Sequence, residues 1–189
     1  FLLTHRTPDR KAASGRHEID SNLAAVDALC DRPWNGRMEL GLDLHPRADE
    51  LLKPLGLTVG KKRIVFHLTS SNPQKEIPPA AIAQAISKLL ERPRHQVIVV
   101  GAEAGAYADM LRLFEGEPQF VNLIGRTPIT ELALALGEAH CVVTTDSGPF
   151  HLAWIQKIPT VALFVAGVEG SHPARWGVYP RFAPTRVIQ

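Results

Sequence analysis

The chain has 189 residues, 45% apolar and 21% charged, enough to bury a sizeable core in one domain with some extra chain or in two small ones. A net charge of +2 and a pI near 8.7 are too weak a bias to argue for nucleic acid, and no Lys/Arg stripe with interleaved aromatics is present. The same mild bias would not oppose an anionic ligand. The two cysteines, Cys30 and Cys141, sit in apolar contexts without metal-ligand spacing, which argues against a disulfide framework and fits a reducing compartment. No apolar run approaches a membrane span, and no signal peptide is visible.

Phe1 to Arg16 is mixed and basic, broken by Pro8 and Gly15, and reads as a strand end or linker. Ile19, Leu23, Val26 and Leu29 recur at helical spacing, with Asp20 or Ser21 as the expected cap. Arg32 to Gly41 is loop-like, and Ala48 to Leu52 suggests a short helix checked by Pro54 and Gly56. From Lys61 the pattern becomes regular. Ile64 to Leu68 reads as a strand, Thr69 to Pro79 as a polar loop, and Ala80 to Leu90 as an amphipathic helix carrying Ile82, Ile86, Leu89 and Leu90. A strand over Gln96 to Val100 ends at Gly101, and a helix follows over Ala104 to Phe114. A short strand is predicted over Phe120 to Ile124 and a helix over Ile129 to Gly137.

The β-branched run Val142 to Thr145 reads as a short buried strand, stopped by the turn signal Asp146-Ser147-Gly148. Pro149 stands where a first helical residue is expected, because it has no amide hydrogen to leave unpaired there. The amides around Phe150 and His151 are then expected to be free, forming an anion site at a helix end. After a helix exit at Lys157 to Pro159 comes a strand over Thr160 to Val165. The tail from Ala166 reads as largely irregular, with a strand at Thr185 to Ile188. Strands alternating with helices at this spacing imply an α/β fold, a parallel sheet with helices on both faces. Ligands of such sheets bind at the carboxyl ends of the strands, near the switch point.

Three loops therefore share one rim. The first, Thr69 to Lys75, carries hydroxyls and a lysine suited to phosphate oxygens, although a solvated turn with a surface lysine is the plainer reading. It is not a P-loop, since the glycines and the Lys-Ser/Thr pair are missing. The second, Gly101 to Ala104, places Glu103 where an acid takes ribose hydroxyls, or where a helix dipole favours a glutamate. The third gathers Asp146, Ser147, Gly148, Pro149 and His151, where the plainer reading is an Asp or Ser cap with a core histidine. A serine-hydrolase reading fails, because the Gly-x-Ser-x-Gly elbow is absent. The remaining histidines show no metal-ligand spacing either.

Taken together, the block Thr145-Asp146-Ser147-Gly148-Pro149-Phe150-His151-Leu152-Ala153, the strand Ile158 to Phe164 and the run Ala174-Arg175-Trp176-Gly177-Val178-Tyr179-Pro180 resemble glycosyltransferase family 9, the ADP-heptose:lipopolysaccharide heptosyltransferases. Gly125-Arg126-Thr127 with Glu131-Leu132, Lys75 with Pro78, and His17 to Leu23 match further family segments in order. Three positions depart from the family pattern. Ile77 stands in place of a tryptophan, Phe164 to Val168 in place of Phe-Gly-Pro-Thr, and Trp154 where a small residue is usual.

The resemblance implies a Rossmann-like domain, one half of a GT-B type enzyme whose two domains face each other across a cleft. It implies that residues 1–30 are the end of the amino-terminal domain and the interdomain segment, and that residues 31–189 form the nucleotide-sugar domain. Asp146, Ser147, Gly148, Pro149 and His151 would contact the sugar and pyrophosphate of ADP-heptose. Ser70, Ser71 and Lys75 would hold phosphate or sugar oxygens, and Glu103 the ribose. No cofactor or metal is expected. The acceptor, the lipopolysaccharide inner core, would be held by the other domain, together with the catalytic base, so no catalytic residue is named and the chain alone is expected to be inactive. The location implied is cytoplasmic, with peripheral contact at the bacterial inner membrane. Two alternatives stay open: a nucleotide-binding module without activity of its own, and a GT-B glycosyltransferase or epimerase using another nucleotide-sugar.

Overall fold

A computed structural model describes residues 15–30, 56–179 and 185–189. Six strands make one sheet: β1 (Lys62–His67), β2 (His95–Val100), β3 (Phe120–Asn122), β4 (Cys141–Thr145), β5 (Thr160–Leu163) and β6 (Thr185–Ile188). They are ordered β3-β2-β1-β4-β5-β6, and all five pairings are parallel. This is the doubly wound Rossmann order, in which the direction of winding reverses between the first and fourth strands. The helices are α1 (Glu18–Asp27), α2 (Pro79–Leu90), α3 (Ala108–Arg112), α4 (Ile129–Gly137), α5 (Gly148–Ile155) and α6 (Pro173–Trp176). The α/β expectation therefore holds.

Strand side chains alternate between the two faces, and the buried residues divide accordingly. Val65, Ile98, Val100 and Val142 pack with Leu134, Ala135 and Leu136 of α4 and Ala153 of α5. Ile64, Phe66, Val97 and Val99 face the other way, against Ile82 and Ile86 of α2 and Met110 and Leu111 of α3. A third cluster, Phe150, Trp154, Ala162 and Phe164, is joined by Ile19 of α1 and by Trp176, Val178 and Tyr179 of the tail. Strands this thoroughly covered explain the near-continuous apolar runs of β1 and β2.

Several boundaries differ from the sequence expectation. Helix α1 begins before Asp20 and Ser21, and its cap is His17, whose Nδ1 accepts the Ile19 amide at 3.2 Å. Asp20 instead sits in the first turn, where the helix dipole favours an acid. The helix expected over Ala104 to Phe114 starts as a short 3-10 turn, Gly105–Tyr107, before α3. Gly105 takes φ +48°, a left-handed value that glycine adopts freely, so a regular helix cannot start at Ala104. The tail holds helix α6, capped by His172, where irregular chain was expected. The expectations over Phe1 to Ser14, Arg32 to Gly41 and Ala48 to Leu52 lie outside the described residues.

Candidate functional site

The loops after β1, β2 and β4 meet over the switch point and line a cleft of about 550 Å³. All nine residues singled out from the sequence lie on its walls: Ser70, Ser71, Lys75, Glu103, Asp146, Ser147, Gly148, Pro149 and His151. His67, Thr69, Glu76 and Trp176 line it too, and none of these four was singled out.

An ion pair spans the switch point. Lys75 Nζ donates to Asp146 Oδ2 at 2.9 Å and to the Asp146 carbonyl at 3.3 Å. The carboxylate is almost fully buried, its side chain 4% exposed, while the lysine keeps 20%. Ser171, in the tail, donates its hydroxyl to the same Oδ2 at 2.7 Å. Two donors therefore converge on one oxygen of a buried acid, which fixes the carboxylate and offsets the cost of removing it from water.

The β1 loop is held by its own polar groups. The Ser70 amide donates to Glu76 Oε1 at 3.1 Å, and the Asn72 amide donates to Ser70 Oγ at 3.2 Å. Asn72 Oδ1 accepts the Gln74 amide at 3.0 Å and so caps the 3-10 turn Pro73–Lys75, which aims Lys75 at Asp146. Ser71 and Glu103 are exposed on the rim.

The start of α5 departs from the expectation in two ways. The first helical residue is Gly148, with Pro149 second. The Phe150 amide is not free, since it donates to the Ser147 carbonyl at 3.1 Å. The plainer reading, an Asp or Ser side-chain cap, also fails. No side chain caps this helix, because Ser147 Oγ turns back to the Thr145 carbonyl at 3.1 Å and Asp146 is engaged with Lys75 and Ser171. A Cβ built on Gly148 meets no atom within 4 Å, so the helix end opens on to empty cleft.

Two histidines stand in the cleft, and burial favours the neutral form of both. His67, at the end of β1, has Nδ1 3.3 Å from both Thr144 Oγ1 and Ser147 Oγ. Burial pushes its pKa down to about 4. His151 also titrates below the ordinary imidazole value, chiefly through burial, with Asp146 pulling the other way. Its Nδ1 accepts the Trp154 indole N–H at 3.0 Å, and its ring lies 6.1 Å from that of Trp176.

Trp176 closes the wall and is anchored by the tail and by α1. Its indole donates to the Gly170 carbonyl at 2.7 Å, and the Arg175 guanidinium lies 4.9 Å from its ring centre. Arg175 pairs with Glu18 at 2.9 Å, Tyr179 donates to Asp20 at 2.6 Å, and His17 Nε2 donates to the Gly177 carbonyl at 2.8 Å. With Nδ1 already accepting from Ile19, the His17 proton must reside on Nε2, as this last bond requires.

Buried acid, lysine, hydroxyls and an uncapped helix end thus meet at the switch point of a Rossmann sheet. The family model described as glycosyltransferase family 9 (heptosyltransferase) matches residues 1–180. The chain belongs to glycosyltransferase family 9. Comparison with curated proteins gives no match. Among solved structures, a family 9 glycosyltransferase from Veillonella parvula is similar at 23% identity and TM-score 0.75, over 97% of this chain and 51% of the other. The E. coli ADP-heptose lipopolysaccharide heptosyltransferase II is similar at 22% identity and TM-score 0.64, over 86% and 47%. E. coli heptosyltransferase WaaC, solved with ADP, is similar at 18% and 0.61, over 93% and 51%. This family 9 chain thus spans about half the length of these relatives, and its sheet has the architecture of their GT-B fold.

Sequence reasoning missed Ser171, His67 and Trp176 as parts of the site. Ser171 reaches Asp146 from 25 residues away, and His67 reaches Ser147 from 80 residues away. For His67 the available signal was its place at the end of a strand, next to a loop already singled out.

Proposed function

We propose that this chain supplies the donor half of a metal-independent, inverting glycosyltransferase that moves heptose from ADP-heptose to the lipopolysaccharide inner core. The observation that carries the reading is the Lys75–Asp146 pair, set in a cleft at the switch point with an uncapped helix end beside it. In this reading Asp146 accepts hydrogen bonds from sugar hydroxyls. Lys75, the hydroxyls of Ser70 and Ser71, the Gly148 amide and His151 take the pyrophosphate, with Pro149 shaping the helix start. Glu103, on the rim, takes the ribose. The ADP leaving group gains negative charge as the glycosidic bond breaks, and preplaced donors stabilise that charge without reorganising. The acceptor hydroxyl attacks the anomeric carbon in one displacement, and its proton goes to a base outside the described residues.

The same reading makes residues 1–30 the end of an acceptor domain and the interdomain segment, and residues 31–189 the donor domain. The lipid-linked acceptor would bring the enzyme to the cytoplasmic face of the inner membrane as a peripheral protein.

Calorimetry of the purified protein with ADP-heptose, ADP and UDP-sugars tests the reading. ADP-heptose should bind tightest. Asp146→Ala should weaken ADP-heptose about tenfold or more while sparing ADP, the loss of a charge-assisted hydrogen bond to the sugar. Lys75→Ala should weaken both ligands. A preference for UDP-sugars would overturn the ADP-heptose reading, and indifference to both substitutions would overturn the site.

A further inference from the structure

We propose that Trp154 is a positioning residue that fixes the tautomer of His151, so that the imidazole offers the cleft a standing Nε2–H donor. The inference rests on the nucleotide-sugar reading only for the identity of the group that the donor meets.

An indole nitrogen can only donate. The Trp154 Nε1–H lies 3.0 Å from His151 Nδ1, so Nδ1 must be the accepting nitrogen of the ring. In a neutral imidazole the proton then resides on Nε2, across the ring. Trp154 is 3% exposed and packed with Phe150, Ala162 and Phe164, so the indole has no room to turn away. The imidazole is bounded by Phe150 at 5.1 Å and Trp176 at 6.1 Å, ring to ring, and His151 lines the cleft.

Charging His151 would put a second proton on Nδ1, directly against the indole N–H. The bond therefore opposes the imidazolium, in the same direction as burial. The titratable groups acting on the ring divide, with Asp146 favouring the charged form and Lys75 and His17 opposing it. A neutral donor of fixed direction complements Lys75: the lysine supplies charge, and His151 supplies aim toward a diphosphate oxygen. A residue without an N–H at position 154 would not impose the tautomer.

Long-range 1H–15N NMR of the His151 ring at pH 7 decides the matter. The expected spectrum has an unprotonated Nδ1 and a protonated Nε2, with scalar coupling from the Trp154 indole across the hydrogen bond. ADP should shift Nε2 more than Nδ1. Trp154→Phe keeps most of the bulk but removes the donor. It should give mixed tautomers and weaken ADP about twofold, the cost of leaving about half of the rings without the Nε2 proton. A protonated Nδ1 or an imidazolium in the unsubstituted protein overturns the proposal, whether or not the variant folds, and so does an unchanged tautomer in a folded variant. If the unsubstituted protein binds no ADP, the nucleotide reading of the cleft fails, while the same spectra still decide the tautomer.

Discussion

His67 shows how a single residue ties the site to the stability of the sheet. Its ring is wedged between Thr144 and Ser147 at the carboxyl ends of β1 and β4, where, among the described residues, no acid compensates for burial. The unfolded chain takes up a proton near pH 6.5, whereas the folded protein resists until about pH 4. Across that interval the unfolded state binds more protons, so stability must fall as pH drops from 6.5 to about 4, and this contribution levels off below. The shift corresponds to on the order of 3 kcal/mol. Denaturant midpoints at pH 7 and pH 4.5 should differ less in His67→Gln than in the unsubstituted protein. An equal pH response in both would show that His67 is not the proton acceptor. His151 contributes in the same direction, so some slope should survive the substitution.

Among the elements, α5 was the most legible in the sequence and also the most instructive where the reading missed. Its existence, its proline near the start and its place after a buried strand follow from local chemistry. The pairing of its first amides does not, because Ser147 Oγ has two local choices and takes the Thr145 carbonyl instead of the helix end. The outcome is a helix start whose Gly148 has no neighbour to fill the space above it. Gly148 has no left-handed φ to protect, so alanine costs the fold nothing there. Gly148→Ala should leave stability unchanged or raise it by about 0.4–1 kcal/mol, by restricting the unfolded chain. The added methyl would enter the cleft, and ADP affinity should fall about tenfold, as an occupied amide position implies. Calorimetry and denaturation on the same sample separate the two effects. Unimpaired ADP binding would remove the α5 amide from the site.

At the scale of the whole molecule, α1 and the residue before it are fastened to Arg175, Gly177 and Tyr179, next to the cleft wall. Neither α1 nor α6 carries a fully buried side chain, so the polar fastening between them adds to the partial packing of Ile19 and Trp176 on the third cluster. That fastening pairs residues about 160 apart and has no local pattern, which is why the sequence disclosed the six strands but gave no sign of it. Trp176 belongs both to the fastening and to the cleft wall, so the position of α1 bears on the shape of the site. Gly177 is the pivot. Its amide donates to the Pro173 carbonyl at 2.8 Å, and its carbonyl accepts from His17. A Cβ there would stand 2.3 Å from the Pro173 carbonyl oxygen, a backbone atom that cannot yield without unwinding α6. Gly177→Ala should therefore cost about 1–3 kcal/mol, the usual range for forced overpacking. It should also speed hydrogen exchange of the α1 amides while leaving those of β1 and β2 slow, because α1 loses its anchor and the core does not. Native-state exchange resolves the two regions in one experiment. Equal protection of α1 before and after the substitution would mean that the helix is held from elsewhere, and that Trp176 does not couple it to the cleft.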